Sequence, residues 1–249
     1  MTKYKLNQLL FVGSFSLLLG VFGLLVFTKM SYFFYPGIFI LVAFLLHYQF
    51  NLVHIGSHFQ LSKSSKVNNI LGSLSAIVSG TTFASFTQTH KLHHRNVGKE
   101  ELDPDYHITN GHGLFWIPFK IGYQDMYFFK NKLYKTPGAL LNYLLSRFVQ
   151  VSAVVYFIIT GNWLLFVFFW LLPAWLVGYL NGLFLFYFPH YTTGGVERLR
   201  QKKRLNVFEK SYLLAIEICR NYHEKHHLRV AENRNYFPVF AYLRDNRVL

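Results

Sequence analysis

With 249 residues, 52% hydrophobic and 19% aromatic, the chain is long enough for one sizeable core, but its apolar residues are gathered into long runs, which points to a bilayer as solvent. Lys and Arg number 25 against 11 Asp and Glu, so whatever lies outside the membrane is strongly cationic and suits anionic headgroups and an acidic protein partner. Nucleic acid is the weaker alternative and is not expected as a partner: no recognised nucleic-acid module is present, and the basic residues flank apolar segments, where positive charge orients membrane proteins.

Lys3 and Lys5 precede the apolar run Leu9–Phe27, which is too long for a secretory signal and has no alanine before Ala43 to form a cleavage site. It reads as a retained first helix, able to cross a hydrocarbon core of about 30 Å at roughly 1.5 Å per residue. After Thr28–Ser31 a second run, Tyr32–Val53, returns and delivers His54 to the cytoplasmic side. The segment Ile70–Phe86 is short and rich in Ser, Thr and Gly, and composition alone leaves it as a span, a re-entrant loop or a surface helix. A second hairpin follows: Leu141–Thr160 goes out, Gly161–Asn162 turns, and Trp163–Phe188 returns with Pro173 as its kink, bringing His190 to the same side as His54.

On this topology only Lys29 lies on the far side and only Arg147 within a span, which satisfies the positive-inside tendency. Arg147 reads as snorkelling or locally paired, since an intramembrane charge needs a partner. The tail Thr192–Leu249, with its run Arg198-Leu-Arg-Gln-Lys-Lys-Arg204, reads as a solvated, headgroup-facing loop. The lone cysteine, Cys219, forms no internal disulfide and reads as a structural thiol.

Twelve histidines are present, and eight fall into three compact groups: His54-Ile-Gly-Ser-His58, His90-Lys-Leu-His93-His94 and His223-Glu-Lys-His226-His227. On a helix, positions i, i+3 and i+4 share a face, so each group presents two or three imidazoles toward one point. To form one site, the groups must lie on one side of the membrane. The stretch Phe59–Thr89 then crosses an even number of times or not at all, and Ile70–Phe86 becomes an interfacial or re-entrant element. His190, at the inner end of the last span, joins as a ninth candidate ligand. So many imidazoles exceed what one ion takes, and two metals fit better; residue type leaves Zn, Cu, Fe and Ni open.

Two rivals use the same residues. His223-Glu224-Lys225-His226-His227 reads as the H-E-x-x-H of a zinc metalloprotease, but that leaves His54, His58, His90, His93 and His94 without a role and sits in a polar tail. A metal transporter wants ligands near the membrane midplane, whereas these groups stand at helix ends.

The three boxes, with their positions relative to two helical hairpins, resemble the membrane fatty acid desaturase superfamily over roughly His47 to His227. Within it the chain looks most like bacterial members that include acyl-lipid desaturases and carotenoid ketolases, through His93-His94-Arg95 followed by Asp103-Pro104-Asp105, the Gly161-Asn-Trp163 turn, and Phe188-Pro189-His190. The resemblance implies two iron ions, O2 as oxidant, and electrons from a separate carrier protein, and the basic face of this chain suits an acidic one. It makes His54, His58, His90, His93, His94, His223, His226 and His227 the iron ligands, with His190 matching an additional histidine after the last span. Asp103 and Asp105 are candidates to orient ligands, turn chemistry being the other account of Asp-Pro-Asp. His107 and His112 read as loop residues, and His47 as a packed histidine or part of a substrate passage. Two positions depart from the family pattern: Ile55 stands where an acidic residue is common, and Val230 follows His226-His227-Leu228-Arg229 where a proline is common.

The expected architecture is an all-α integral membrane protein forming one domain over residues 1–249, with four transmembrane helices in two hairpins. A cytoplasmic cap, residues 54–139 and 190–249, holds the di-metal site. The expected setting is a bacterial-type cytoplasmic membrane with the site facing the cytoplasm. The expected chemistry is oxidation of a lipid C–H bond, on an acyl chain or a carotenoid, giving an alkene, an alcohol or a ketone.

Overall fold

The structure is a computed structural model, and it describes residues 3–28, 31–106, 116–117, 122–190, 200–202 and 204–228. These are helical throughout apart from turns and short connections. Helix α1 (Lys3–Phe27) is followed by α2 (Tyr35–Ser57), which a short 3-10 turn (Tyr32–Phe34) and Pro36 in its first turn introduce. Then come α3 (Ser65–Val78), α4 (Phe83–Asn96), α5 (Tyr123–Lys130) and α6 (Ala139–Ile159). A long helix α7 (Trp163–Tyr187) ends in the turn Phe188–His190, and α8 (Val207–Leu228) completes the described chain.

Among the described residues four helices are long and apolar enough to cross a membrane: Tyr4–Phe27, Tyr32–Ser57, Ala139–Ile159 and Trp163–Tyr187. They fall on the four expected spans. Their exterior decides the solvent: only 6% of the apolar window in Ala139–Ile159 is buried, and Leu141, Leu145, Phe148 and Ile159 stand exposed. Such an apolar exterior suits hydrocarbon and would be costly in water. The second span runs past the expected end at Val53 to Ser57, so His54 belongs to its last turn.

The chain forms two compact units, residues 1–92 with 122–178 and residues 93–121 with 179–249. In the first, α1 and α2 pack through Leu18 against Val42, Leu45 and Leu46, with Val177 of α7 closing the cluster. Lipid removes most of the hydrophobic drive between helices, so close packing and internal hydrogen bonds hold them. Gln49 of α2 accordingly donates to the Ser14 hydroxyl of α1 at 2.9 Å.

The expected element Ile70–Phe86 is two helices. The end of α3 and the start of α4 meet at a turn, Ser79–Thr82, where the axis bends by 103°. Gly80 has φ +79°, which glycine adopts without steric cost. Ser64 caps α3 by accepting from Val67, and the Thr82 hydroxyl caps α4 by accepting from the Ser85 amide. The Phe83 ring then fills a notch between Gly56 of α2 and Gly72 of α3. A methyl group on Gly72 would stand 2.4 Å from that ring, so Gly72→Ala is expected to destabilise by about 1–3 kcal/mol. Thermal unfolding in detergent checks this, with Gly37→Ala, which meets nothing within 4 Å, as the neutral control.

In α7 a π-helical stretch, Val167–Leu171, lies just before Pro173, which has no amide N–H to donate. A second π-helical stretch, Gly182–Tyr187, precedes His190. Helix α8 begins with a reciprocal cap: the Glu209 amide donates to Asn206 Oδ1 at 2.8 Å and the Asn206 amide to Glu209 Oε2 at 3.0 Å. Buried Cys219 lies on this helix, and burial pushes its thiol up to about 12, so it is unreactive at neutral pH.

Candidate metal centre

Among the described residues two groups of side chains could hold a metal, one in each unit. The first joins the end of α2 to α4. His54 and His58, four residues apart, project from the last turn of α2 and its C-cap, and His90 meets them from α4. Ring centroids are 4.7 Å apart for His54 and His90, 4.9 Å for His58 and His90, and 5.3 Å for His54 and His58. One ring nitrogen from each lies within 4.8 Å of the others, and the Nε2 atoms of His58 and His90 are 3.0 Å apart. Nitrogens on one tetrahedral ion are separated by about 3.3 Å, given metal–nitrogen bonds of about 2.0–2.1 Å, so the trio is close to a ligand set.

The electrostatics agree with that reading. Burial, assisted by the charge of Lys91, lowers His58 to about 4, which leaves it neutral near pH 7 with a lone pair to give. The Phe86 ring stacks on His90 at 5.2 Å and meets His54 at 6.3 Å, while Phe50 packs edge-on against Phe86 at 5.3 Å. Both aromatics sit one helical turn before a histidine, Phe50 before His54 and Phe86 before His90, and cover that side of the trio.

The turn that presents His58 is held from several sides. Phe59 takes a left-handed φ of +57°, unusual for a bulky residue. Fully buried Asn68 compensates: it donates to the Gly56 carbonyl at 2.9 Å and accepts from the Leu61 amide at 3.1 Å. Asn7 and Gln8 of α1 donate to the Gln60 and Leu61 carbonyls. Sequence spacing identifies the histidines but gives no sign of Asn68, whose partners are distant backbone groups.

The second group is centred on fully buried His93. Its Nδ1 lies 2.8 Å from Asp103 Oδ1 and 3.4 Å from Asp105 Oδ2. Asp103 also accepts the Asp105 amide on Oδ1 and the Gly98 amide on Oδ2. Burial pulls the His93 pKa down, but the Asp105 charge and the hydrogen bond and charge of Asp103 outweigh it, for a net rise. For Asp103, burial pushes up and the His93 and amide hydrogen bonds pull harder, so its carboxyl lies below the usual carboxylate range. His93, Asp103 and Asp105 have donor atoms within 4.8 Å of one another, as a metal set would. The 2.8 Å contact at Nδ1 favours a different arrangement, with Asp103 holding the ring and Nε2 left for a metal.

His94 follows on α4, its ring 5.9 Å from that of His93, and His223 of α8 stands 5.6 Å from His93. Two of the three sequence groups thus meet at His93. The side chains of His190, His226 and His227, the loop residues His107 and His112, and most of the basic tail lie outside the described residues. His47 is paired with Asn51 on its own helix at 3.1 Å.

The apolar spans define a class, an all-helical membrane protein, with clustered imidazoles that could hold a metal. The model of the fatty acid desaturase family matches residues 30–238, and the chain belongs to that family, an oxidoreductase of the membrane. No curated protein and no solved structure matches the chain.

Proposed function

We propose that this protein is an O2-dependent, di-iron membrane oxidoreductase that oxidises an unactivated C–H bond of a lipid, by desaturating or hydroxylating a fatty acyl chain. The observation that carries the reading is the His54–His58–His90 trio, three imidazoles from two helices converging within 4.8 Å at the end of a span. Together with His93, His94, His223, His226, His227 and His190 it provides enough imidazole for two ions. Bound iron supplies the activation of O2 and the removal of hydrogen.

The chain's own residues do the rest. Asp103 accepts from Nδ1 of His93 and so fixes the tautomer and direction of the ring. His58 is kept unprotonated by burial and by Lys91. Phe86 and Phe50 keep water from one side of the trio. Reducing equivalents come from a separate acidic carrier, to which a chain of net charge +14 is complementary. The site faces the cytoplasm of a bacterial-type membrane, where the positive-inside tendency puts the basic segments.

The test is expression of the protein and of a His93→Ala variant in hosts that make either carotenoid pigment or ordinary lipids, with mass spectrometry of both extracts. A new double bond or hydroxyl on an acyl chain, absent with His93→Ala, is the expected result. A keto group on the pigment with unchanged acyl chains would assign a carotenoid ketolase. No oxidised product in either host would remove the enzymatic reading.

A further inference from the structure

The turn between α3 and α4 is surrounded by polar side chains from the spans, several of which donate to its backbone carbonyls. Arg147, on α6, donates to the Gly80 carbonyl at 3.2 Å and to Gln150 Oε1 at 2.7 Å. Gln150 donates to the carbonyls of Ile77 at 3.1 Å and Thr81 at 2.8 Å. Trp170 of α7 donates its indole N–H to the Val78 carbonyl at 2.8 Å. Asn142, also on α6, accepts from the Ala84 amide at 3.1 Å and donates to the Ser73 hydroxyl. Behind Arg147 its guanidinium is paired with Asp125 of α5, and Tyr143 donates to the same carboxylate. Four of the five carbonyls from Ile77 to Thr81, those of Ile77, Val78, Gly80 and Thr81, are therefore satisfied by three side chains from membrane-spanning helices.

The depth of this turn follows from what it touches. Val78 packs against the cluster of Leu18, Val42, Leu45, Leu46 and Val177, which lie in the middle of their spans. Arg147 is eight residues into Ala139–Ile159, about 12 Å along the helix at about 1.5 Å per residue. Non-helical backbone is tolerated at such depth only where protein satisfies its polar groups, and here that satisfaction is supplied. A surface helix pair would leave these carbonyls to water and would need no arginine.

We propose that α3 and α4 form a re-entrant pair whose apex is locked at mid-membrane by Arg147 and Gln150, making these two positioning residues for the helix that carries His90, His93 and His94. The claim about the histidines rests on the function proposed above; the membrane geometry does not. Asp125 keeps the guanidinium ionic and aimed, and the apex sets the height from which α4 climbs to the His54–His58–His90 trio. Arg147 and Gln150 touch no reacting atom.

Single cysteines at Lys63→Cys, Ser79→Cys and Lys99→Cys in a Cys219→Ser background, treated with a membrane-impermeant maleimide on sealed vesicles of each orientation, test this. Lys63→Cys and Lys99→Cys should label from the same side, and Ser79→Cys from neither. Adding Arg147→Met should expose Ser79→Cys at least tenfold and lower bound iron, with the other two labels unmoved. Gln150→Leu, which removes two carbonyl contacts and one hydrogen bond from Arg147 but keeps both Arg147 and Asp125, should act the same way and covers the case in which Arg147→Met does not fold. Labelling of Lys63→Cys and Lys99→Cys from opposite sides would make the pair a broken span and overturn the proposal. Free labelling of Ser79→Cys in the presence of Arg147 would make it a surface element, and protection that survives Gln150→Leu would leave no lock. Because labelling needs neither iron nor turnover, its failure is distinct from a failure of the oxidase reading.

Discussion

His90→Ala is expected to lower bound iron, by one of two ions on the proposed reading, and to reduce lipid oxidation to background, with the helices still folded. Of the trio, His90 is the most buried and comes from a different helix than its partners, so no other residue of α4 can replace it at 3.0 Å from His58. Its loss leaves His54 and His58 as two imidazoles from one helix end, too few for a closed or a catalytic site. Affinity at that position should fall by more than the roughly 10–100-fold typical of changes one shell further out. Removing the ring also leaves a cavity beneath Phe86, so some loss of thermal stability accompanies the change. Iron per chain by atomic absorption and helix content by circular dichroism check the two halves; full iron with His90→Ala would remove the trio from the site.

Asp103→Asn is expected to weaken metal binding by about 10–100-fold and to destabilise the metal-free protein by about 1–3 kcal/mol. The reason is a count of donors. Asp103 accepts from His93 Nδ1 and the Asp105 amide on one oxygen and from the Gly98 amide on the other. An amide has one oxygen, and its NH2 must then face either the Gly98 N–H or the other two donors, leaving a buried group unsatisfied in both orientations. The imidazole also loses part of what holds its pKa up against burial. Asp105→Asn makes a useful comparison, since its oxygen is 3.4 Å from Nδ1 and contributes charge more than a short hydrogen bond. Iron titration of the two variants should rank Asp103 above Asp105; equal effects would mean that charge alone matters at His93.

The spans and the imidazole trio were legible because they are written in local patterns: long apolar runs for one, i and i+4 histidines beside them for the other. The meeting of His90 with His54 and His58 followed only from requiring one side of the membrane, and the structure brings those rings together. What spacing does not encode is pairing across distance. Asn68 holding the turn after His58, Phe83 in its notch between Gly56 and Gly72, and Gln150 on the carbonyls of Ile77 and Thr81 are each set by tertiary packing. Arg147 shows the boundary well. Its position within an apolar run requires a partner, but nothing in the run names Asp125 or Gly80. Within Ile70–Phe86 the sequence does not mark the division into two helices, because Gly80 and the capping Thr82 are ordinary residues in a stretch already rich in Gly, Ser and Thr.

The central claim is that the clustered histidines hold iron for oxidation of a lipid, and metal analysis joined to oxygen consumption tests it most directly. Protein purified from membranes should contain two iron ions per chain and consume O2 only when a reductant, its carrier and a lipid substrate are present. Zinc in place of iron, with no substrate-dependent O2 consumption after reconstitution with ferrous iron, would contradict it.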